Sequence, residues 1–321
     1  MTSQVRRGVL GGISYGWGLG IVNAGAVLLG LRLDVAPALV AGHLTAFSIG
    51  LFLVGISDLL LVRSVRVTSP ALLGLAGLGL LLAPSVIVSL AAALVVGATG
   101  SVVLAQSQRL VTAGRPDDRW LMWTNASTAL AVAASSGLVA VLGTPLLVAL
   151  PGLLAGLAST TAKLPPDEDG AADERPAPPA DPATGRHALP GEQATPAMRS
   201  GERAAPVRPV DPRLLLLVVL AVGTELTLAN RLPDHLVRSG LDGIAALAPA
   251  LVYVGVAAAR SWLALRRPRP LPAVTASAGI VAVAVITLLL MHNAVSGVVA
   301  VMVGGMGAGA LFPVDASATL A

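Results

Sequence analysis

Glu225 is the residue in this chain whose type and place most plainly suggest chemistry. It lies in an apolar run that begins at Arg213. Twelve residues of helix carry it about 18 Å inward, near the middle of a ~30 Å hydrocarbon layer. A carboxylate at that depth costs roughly 2.5–3.5 kcal/mol on insertion scales, so it must face a cavity or a partner rather than lipid. One reading makes Glu225 a proton-coupling or substrate-contacting carboxylate. The other makes it a protonated acid in a structural hydrogen bond between helices. Few other polar side chains interrupt the apolar runs. Tyr15, Trp17 and Asn23 sit in the first, His43 in the second, Gln106 in the fourth and Asn125 in the fifth. Tyr15, Asn23, His43, Gln106 and Asn125 join Glu225 as the candidate substrate or proton site. Each also has a structural reading, because amides, hydroxyls and imidazoles bond membrane helices to one another, and Trp17 reads better as packing than as binding.

A second group lies toward the ends of the runs that the arginine distribution, below, assigns to the cytoplasm. Asp58, Arg109, Arg260 and Asp315 are candidate gate charges there. Their plainer role is to anchor loops, and Arg109 can either meet an anionic substrate or snorkel to headgroups. Gly304, Gly305, Gly307 and Gly309 have the density of a nucleotide loop, but they lie inside an apolar run with no lysine following, which points to close helix packing. No catalytic constellation, metal-ligand spacing, nucleophile elbow or Walker sequence is present, and there is no cysteine. The chain is therefore expected to be no enzyme, with no metal and no cofactor.

The elements that position these residues follow from composition. Over 321 residues, 55% are hydrophobic and 12% are charged, about half the charge of a soluble protein. Mean hydropathy is +0.81. The apolar runs exceed the ~20 residues needed to span a bilayer and are solid rather than alternating, which favours helices over a barrel. The expected fold class is an all-α polytopic membrane protein. Span 1 covers 8–31, too long for a signal-peptide core, and span 2 covers 35–62 after a tight turn at Arg32 and Asp34. The run 69–111 must be a hairpin broken at Pro84-Ser85, giving spans 3 and 4. The run 121–161 breaks at Gly143-Thr144-Pro145 into spans 5 and 6. Residues 161–212 hold 11 of the 23 prolines and no aromatic residue, so they cannot bury enough apolar surface to order and read as a disordered linker. Span 7 is 213–232 and span 8 is 243–265. The run 271–314 breaks at His292-Asn293 into spans 9 and 10. The expected domains are a six-helix bundle at 1–160, the linker at 161–212 and a four-helix bundle at 213–321.

Charge sets the orientation. With the N-terminus in the cytoplasm and ten alternating spans, all of the 21 basic side chains except Arg32, Arg231 and Arg238 fall on the cytoplasmic side, as the positive-inside rule requires. A multi-pass protein of the cell membrane with both termini in the cytoplasm is expected. The high pI, near 10.5, then reflects topology, not nucleic-acid binding. The expected partners are the lipid bilayer, a small-molecule substrate and protons.

Six spans, a long cytoplasmic linker and further spans resemble the major facilitator superfamily. The stretch from Gly223 to Leu236, with its membrane glutamate and later Leu232-Pro233, is similar to the helix 7 pattern of some members. Gly304 to Pro313 resembles their glycine-rich helix 10. Gly55, Asp58, Arg63 and Arg66 resemble a degenerate form of the motif between helices 2 and 3. The glycine–proline motif of antiporter helix 5 is not evident. The resemblance implies a secondary active transporter that rocks two bundles about a midplane site. It also implies twelve helices where ten are counted, hence a shortened member. Export of a hydrophobic compound or metabolite is the favoured direction, since the candidate cavity has few charges. Two alternatives stand beside it. One is a non-transporting membrane protein or scaffold that has lost helices 11 and 12. The other is a ten-helix drug/metabolite-type transporter, which the position of the linker after span 6 argues against.

Overall fold

A computed structural model describes residues 3–55, 63–112, 119–142, 145–160, 224–225, 227–229, 232–233, 235–241, 245–266, 270–290 and 293–320. Among these the regular structure is helical throughout. The helices are α1 (Ser3–Leu33), α2 (Pro37–Gly55), α3 (Arg63–Leu81), α4 (Val86–Thr112), α5 (Arg119–Leu142), α6 (Pro145–Thr160), α7 (Ala248–Arg266), α8 (Pro270–Leu290) and α9 (Ala294–Leu320). Between α6 and α7 the described residues of 224–238 are also helical. The expected linker and the first part of span 7 lie outside the described residues.

The breaks within the long apolar runs have local causes. Ser85 follows Pro84 and caps α4, its hydroxyl accepting from Val88 N at 3.4 Å and its carbonyl from Ser89 N at 3.1 Å. Asn293 caps α9 in the same way, with Oδ1 accepting from Ser296 N at 2.8 Å. Pro145 opens α6, where its missing N–H costs nothing. The turn expected at Arg32 and Asp34 is a Schellman motif. Asp34 adopts φ 50° and Val35 N donates to Gly30 O at 3.0 Å. The same motif recurs at Gly240, with φ 74° and Leu241 N donating to Leu236 O at 2.9 Å. Arg32 donates from Nη2 to the Ala83 carbonyl and ties the end of α1 to the turn between α3 and α4.

Helix ends differ from the expected spans in several places. α1 starts at Ser3 and α3 at Arg63, so Arg6, Arg7, Arg63 and Arg66 are helical rather than in loops. Hydropathy marks the part of a helix that suits hydrocarbon, whereas helix ends are set by caps and breakers, which need not coincide with it. Pro70 is accommodated within α3, where Ser69 Oγ donates to Val65 O at 2.6 Å. α7 starts at Ala248, just before Pro249, rather than at 243.

Helices from both sides of the linker belong to one compact unit. They share an apolar cluster running from Trp17, Phe47 and Val132 to Leu236, Val252 and Val301. α1 packs on α3, α4, α5 and α6, while α5 packs on both α1 and α7, and α9 packs on α7 and α8. Three of these pairs close to backbone contact. A methyl group on Gly16 of α1 would overlap the Thr128 carbonyl of α5. Gly50 and Gly97 stand against the Leu94 and Phe47 carbonyls across α2 and α4, and Gly255 and Gly305 against the Met302 and Val252 carbonyls across α7 and α9. Small residues that admit such approach are the usual means of packing helices in lipid.

The outer surface is the reverse of a soluble protein's. Ile87 is 80% exposed, with Val141, Leu290 and Val295 similarly bare, while Asn23 is 2% exposed and Ser135, Ser136 and His43 are buried. Apolar side chains outside and polar ones inside suit hydrocarbon as solvent. α1, α3, α4, α5 and α7 contain stretches long and apolar enough to cross a membrane. Shorter apolar stretches occur at Ala38–Val54, Leu147–Thr160, Thr275–Leu290 and Val295–Ala310. Gly16→Leu should lower stability by about 1–3 kcal/mol or more through overpacking, read as a lower unfolding temperature in detergent. Gly79→Ala, where no described residue lies within 4 Å, should be neutral or slightly stabilising.

Candidate functional site

Glu225 meets Arg260. The Arg260 guanidinium donates from Nη2 to Glu225 Oε2 at 2.8 Å, and the two side chains are only 9% and 11% exposed. Arg260 reaches this position because α7 runs past the 224–238 segment on one side and α5 on the other. From Nη1 it also points at the Asn125 carbonyl of α5, at a long 3.5 Å. Two turns earlier on the same face of α7 stands Tyr253, which is 1% exposed. From α1, Tyr15 lies within electrostatic range of both members of the ion pair. Its ring packs at 6.4 Å from that of Phe47 on α2, over Gly100 of α4, which leaves room for it.

Asn23 of α1 faces the Tyr253 hydroxyl, but no hydrogen bond closes between them. Among the described residues neither the Asn23 amide nor the Tyr253 oxygen has a partner, although both are buried. The buried hydroxyls nearby contrast with them. Thr124, Thr128 and Ser135 donate to carbonyls of their own helix, and Ser136 Oγ donates to Gly20 O at 3.1 Å. Those hydroxyls are satisfied structural groups. The junction of α1, α5, α7 and the 224–238 segment thus combines a buried ion pair with unused donors and acceptors.

The candidates proposed from sequence separate into two groups. Glu225, Tyr15, Asn23 and Asn125 converge on the junction, Asn125 through its backbone carbonyl. Arg260, expected among gate charges, pairs with Glu225. His43 is not brought to the pair. Its Nδ1 donates to Leu39 O at 3.0 Å and its Nε2 faces Ser89 Oγ at 2.7 Å, so both ring nitrogens are engaged where α2 meets α4. Gln106 is partly buried and Arg109 exposed in the last part of α4. Asp58 lies outside the described residues, and Asp315 is in the C-terminal part of α9. Trp17 packs, its Nε1 donating to Val148 O of α6. Gly305 and Gly309 lie against the α7 backbone at Val252 and Val256, a packing role. Tyr253 escaped the sequence reading. Its two-turn spacing from Arg260 was the available signal.

These observations define a class: an all-helical membrane protein with charged and polar groups enclosed at a helix junction. No protein-family model matches the sequence, and no curated protein matches it significantly. Among the described residues no cluster of His, Cys, Asp or Glu could hold a metal ion.

The pair makes a direct energetic prediction. Removing one partner strands a buried charge, at about 3–5 kcal/mol, whereas replacing both with apolar residues of like volume is often neutral. Arg260→Met alone should therefore destabilise the detergent-solubilised protein markedly. The double substitution Glu225→Leu, Arg260→Met should recover most of the loss in a denaturation series.

Proposed function

We propose that this protein is a secondary active transporter that moves a small solute across the cell membrane with proton coupling at Glu225. The observation that carries this reading is the buried Glu225–Arg260 pair. Ion pairs are poor stabilisers of an apolar interior, and ionisable residues at membrane depth are by default functional. A carboxylate that can take a proton, held against a cation at a junction of four elements, is suited to linking protonation with rearrangement. A major facilitator-type layout, with ten spans and both termini in the cytoplasm, belongs to the same proposal.

Packing supports a rocking motion. Within the first half, α1 with α5 and α2 with α4 touch backbone to backbone, and so do α7 and α9 in the second half. At Gly137, on the seam between halves, the approach is wider. A methyl group on Gly137 of α5 would stand at an ordinary 3.8 Å from the Ala250 side chain of α7. Close-packed pairs move as rigid units, and a side-chain-width seam lets such units slide or tilt.

The chain's lack of cysteine permits a test that needs no known substrate. Asn23→Cys, reconstituted in proteoliposomes, should react with a membrane-impermeant maleimide added from either face, because alternating access opens the junction to each side in turn. Glu225→Gln in the same background should shift the ratio of the two rates. Reaction from one face only, or from neither, would remove the transporter reading.

A further inference from the structure

We propose that a cavity at one end of the helix bundle, between α1, α3, α5 and α6, binds an anionic phospholipid, with one acyl chain inside it and the phosphate on Arg32. This site is separate from the polar junction and does not depend on transport. The cavity measures about 260 Å3, and its lining is graded. Leu29 of α1, Val139 of α5 and Val148 of α6 are buried, Leu28 and Leu81 are half-buried, and Arg32 is exposed. Every other described side chain that lines it is apolar. Water is held in a protein interior by two or more polar partners, so a cavity with apolar walls favours an apolar guest. The guest must also suit the cation at the mouth, which makes it an amphiphile with an anionic head.

Depth and charge place that head. The membrane-crossing stretch of α1 ends at Gly30, so Arg32 stands just beyond it, at the level of lipid headgroups. Arg32 Nη2 donates to the Ala83 carbonyl, a neutral oxygen that orients the guanidinium without cancelling its charge. Among the described residues no carboxylate pairs with Arg32, Asp34 two positions on included. The rest of its N–H fork is left for phosphate oxygens. The surroundings favour a phospholipid over a free fatty acid. Leu82, Val141 and Leu147, close in the chain to the lining residues Leu81, Val139 and Val148, are exposed apolar side chains. They offer a second acyl chain a surface outside the cavity. A lipid seated in this way would join α1 to α3, α5 and α6 at a single membrane face.

The test uses the full chain in an uncharged detergent. Because the chain has no cysteine, Val141→Cys gives a single attachment point for a bimane fluorophore beside the cavity. The probes are phosphatidylglycerol and phosphatidylcholine with the same brominated acyl chains, which quench a fluorophore they approach. Phosphatidylglycerol should quench saturably at a concentration about fivefold lower than phosphatidylcholine, the effect of one arginine near a lipid surface. It should also raise the unfolding temperature more. Arg32→Gln should make the two lipids equal. Leu28→Trp, which fills the cavity from a half-buried position, should leave only non-saturating quenching by either. Melting curves check that each variant is folded, and Leu81→Phe fills the same space if Leu28→Trp is not. Equal affinity for the two lipids in the otherwise unaltered chain, or a preference kept by Arg32→Gln, would overturn the proposal. Saturable quenching kept by a folded cavity-filling variant would do so too, since the lipid would then lie on the surface alone. Dibromostearate that saturates the quenching at a lower concentration than phosphatidylglycerol would make a free fatty acid the occupant and sink the phospholipid assignment.

Discussion

A charge enclosed in an apolar interior must bring its counter-charge with it, and Glu225 and Arg260 meet that requirement across two helical elements. Their 2.8 Å contact fixes where α7 lies against the 224–238 segment. The Asn125 carbonyl brings α5 to the same point. The two side chains are only 9% and 11% exposed, so the pair constrains the helices more tightly than apolar contact does, since apolar contact is indifferent to register. The rest of the interior is arranged around that constraint. Serine and threonine hydroxyls along α5 are spent on helix carbonyls, and the groups left over, Asn23 and Tyr253, border the pair.

Glycine determines how closely the surrounding helices approach. Lipid offers no hydrophobic drive between apolar helices, so association depends on packing and hydrogen bonds. The contacts of Gly16 with Thr128, Gly97 with Phe47 and Gly305 with Val252 supply the packing. Where α5 meets α7, apolar residues of both halves share one cluster, and the polar junction adds a specific attachment. Tight pairs joined at a seam that includes this junction connect the packing of this protein to the motion proposed for it.

Much of the fold was legible along the chain. The breaks at Pro84-Ser85, at Pro145 and at Asn293 were visible because prolines and capping side chains act on their own few residues of backbone. Helix starts were not, because the polar ends of a helix carry no hydropathy signal, and so Arg6, Arg7, Arg63 and Arg66 were placed in loops. The site was legible in part. Glu225 stood out because an acid in an apolar run is conspicuous in one dimension. His43 is as conspicuous along the chain, but Ser89, 46 positions away, engages its ring.

The sequence alone determined that this is a helical protein whose apolar side chains face outward, because the length and solidity of its apolar runs admit no other arrangement in which every backbone group is bonded. It also singled out the acid that most needs a partner. Which partner that acid would find was decided only by the tertiary structure. Arg260 sits near a helix end in the sequence, a place where arginines commonly serve headgroups, and nothing along the chain sets Tyr253 apart from its apolar neighbours. The pairing depends on the register of α7 against its neighbours. Register follows from interhelix packing, at glycines such as Gly255 and Gly305, and not from the hydropathy of any single run.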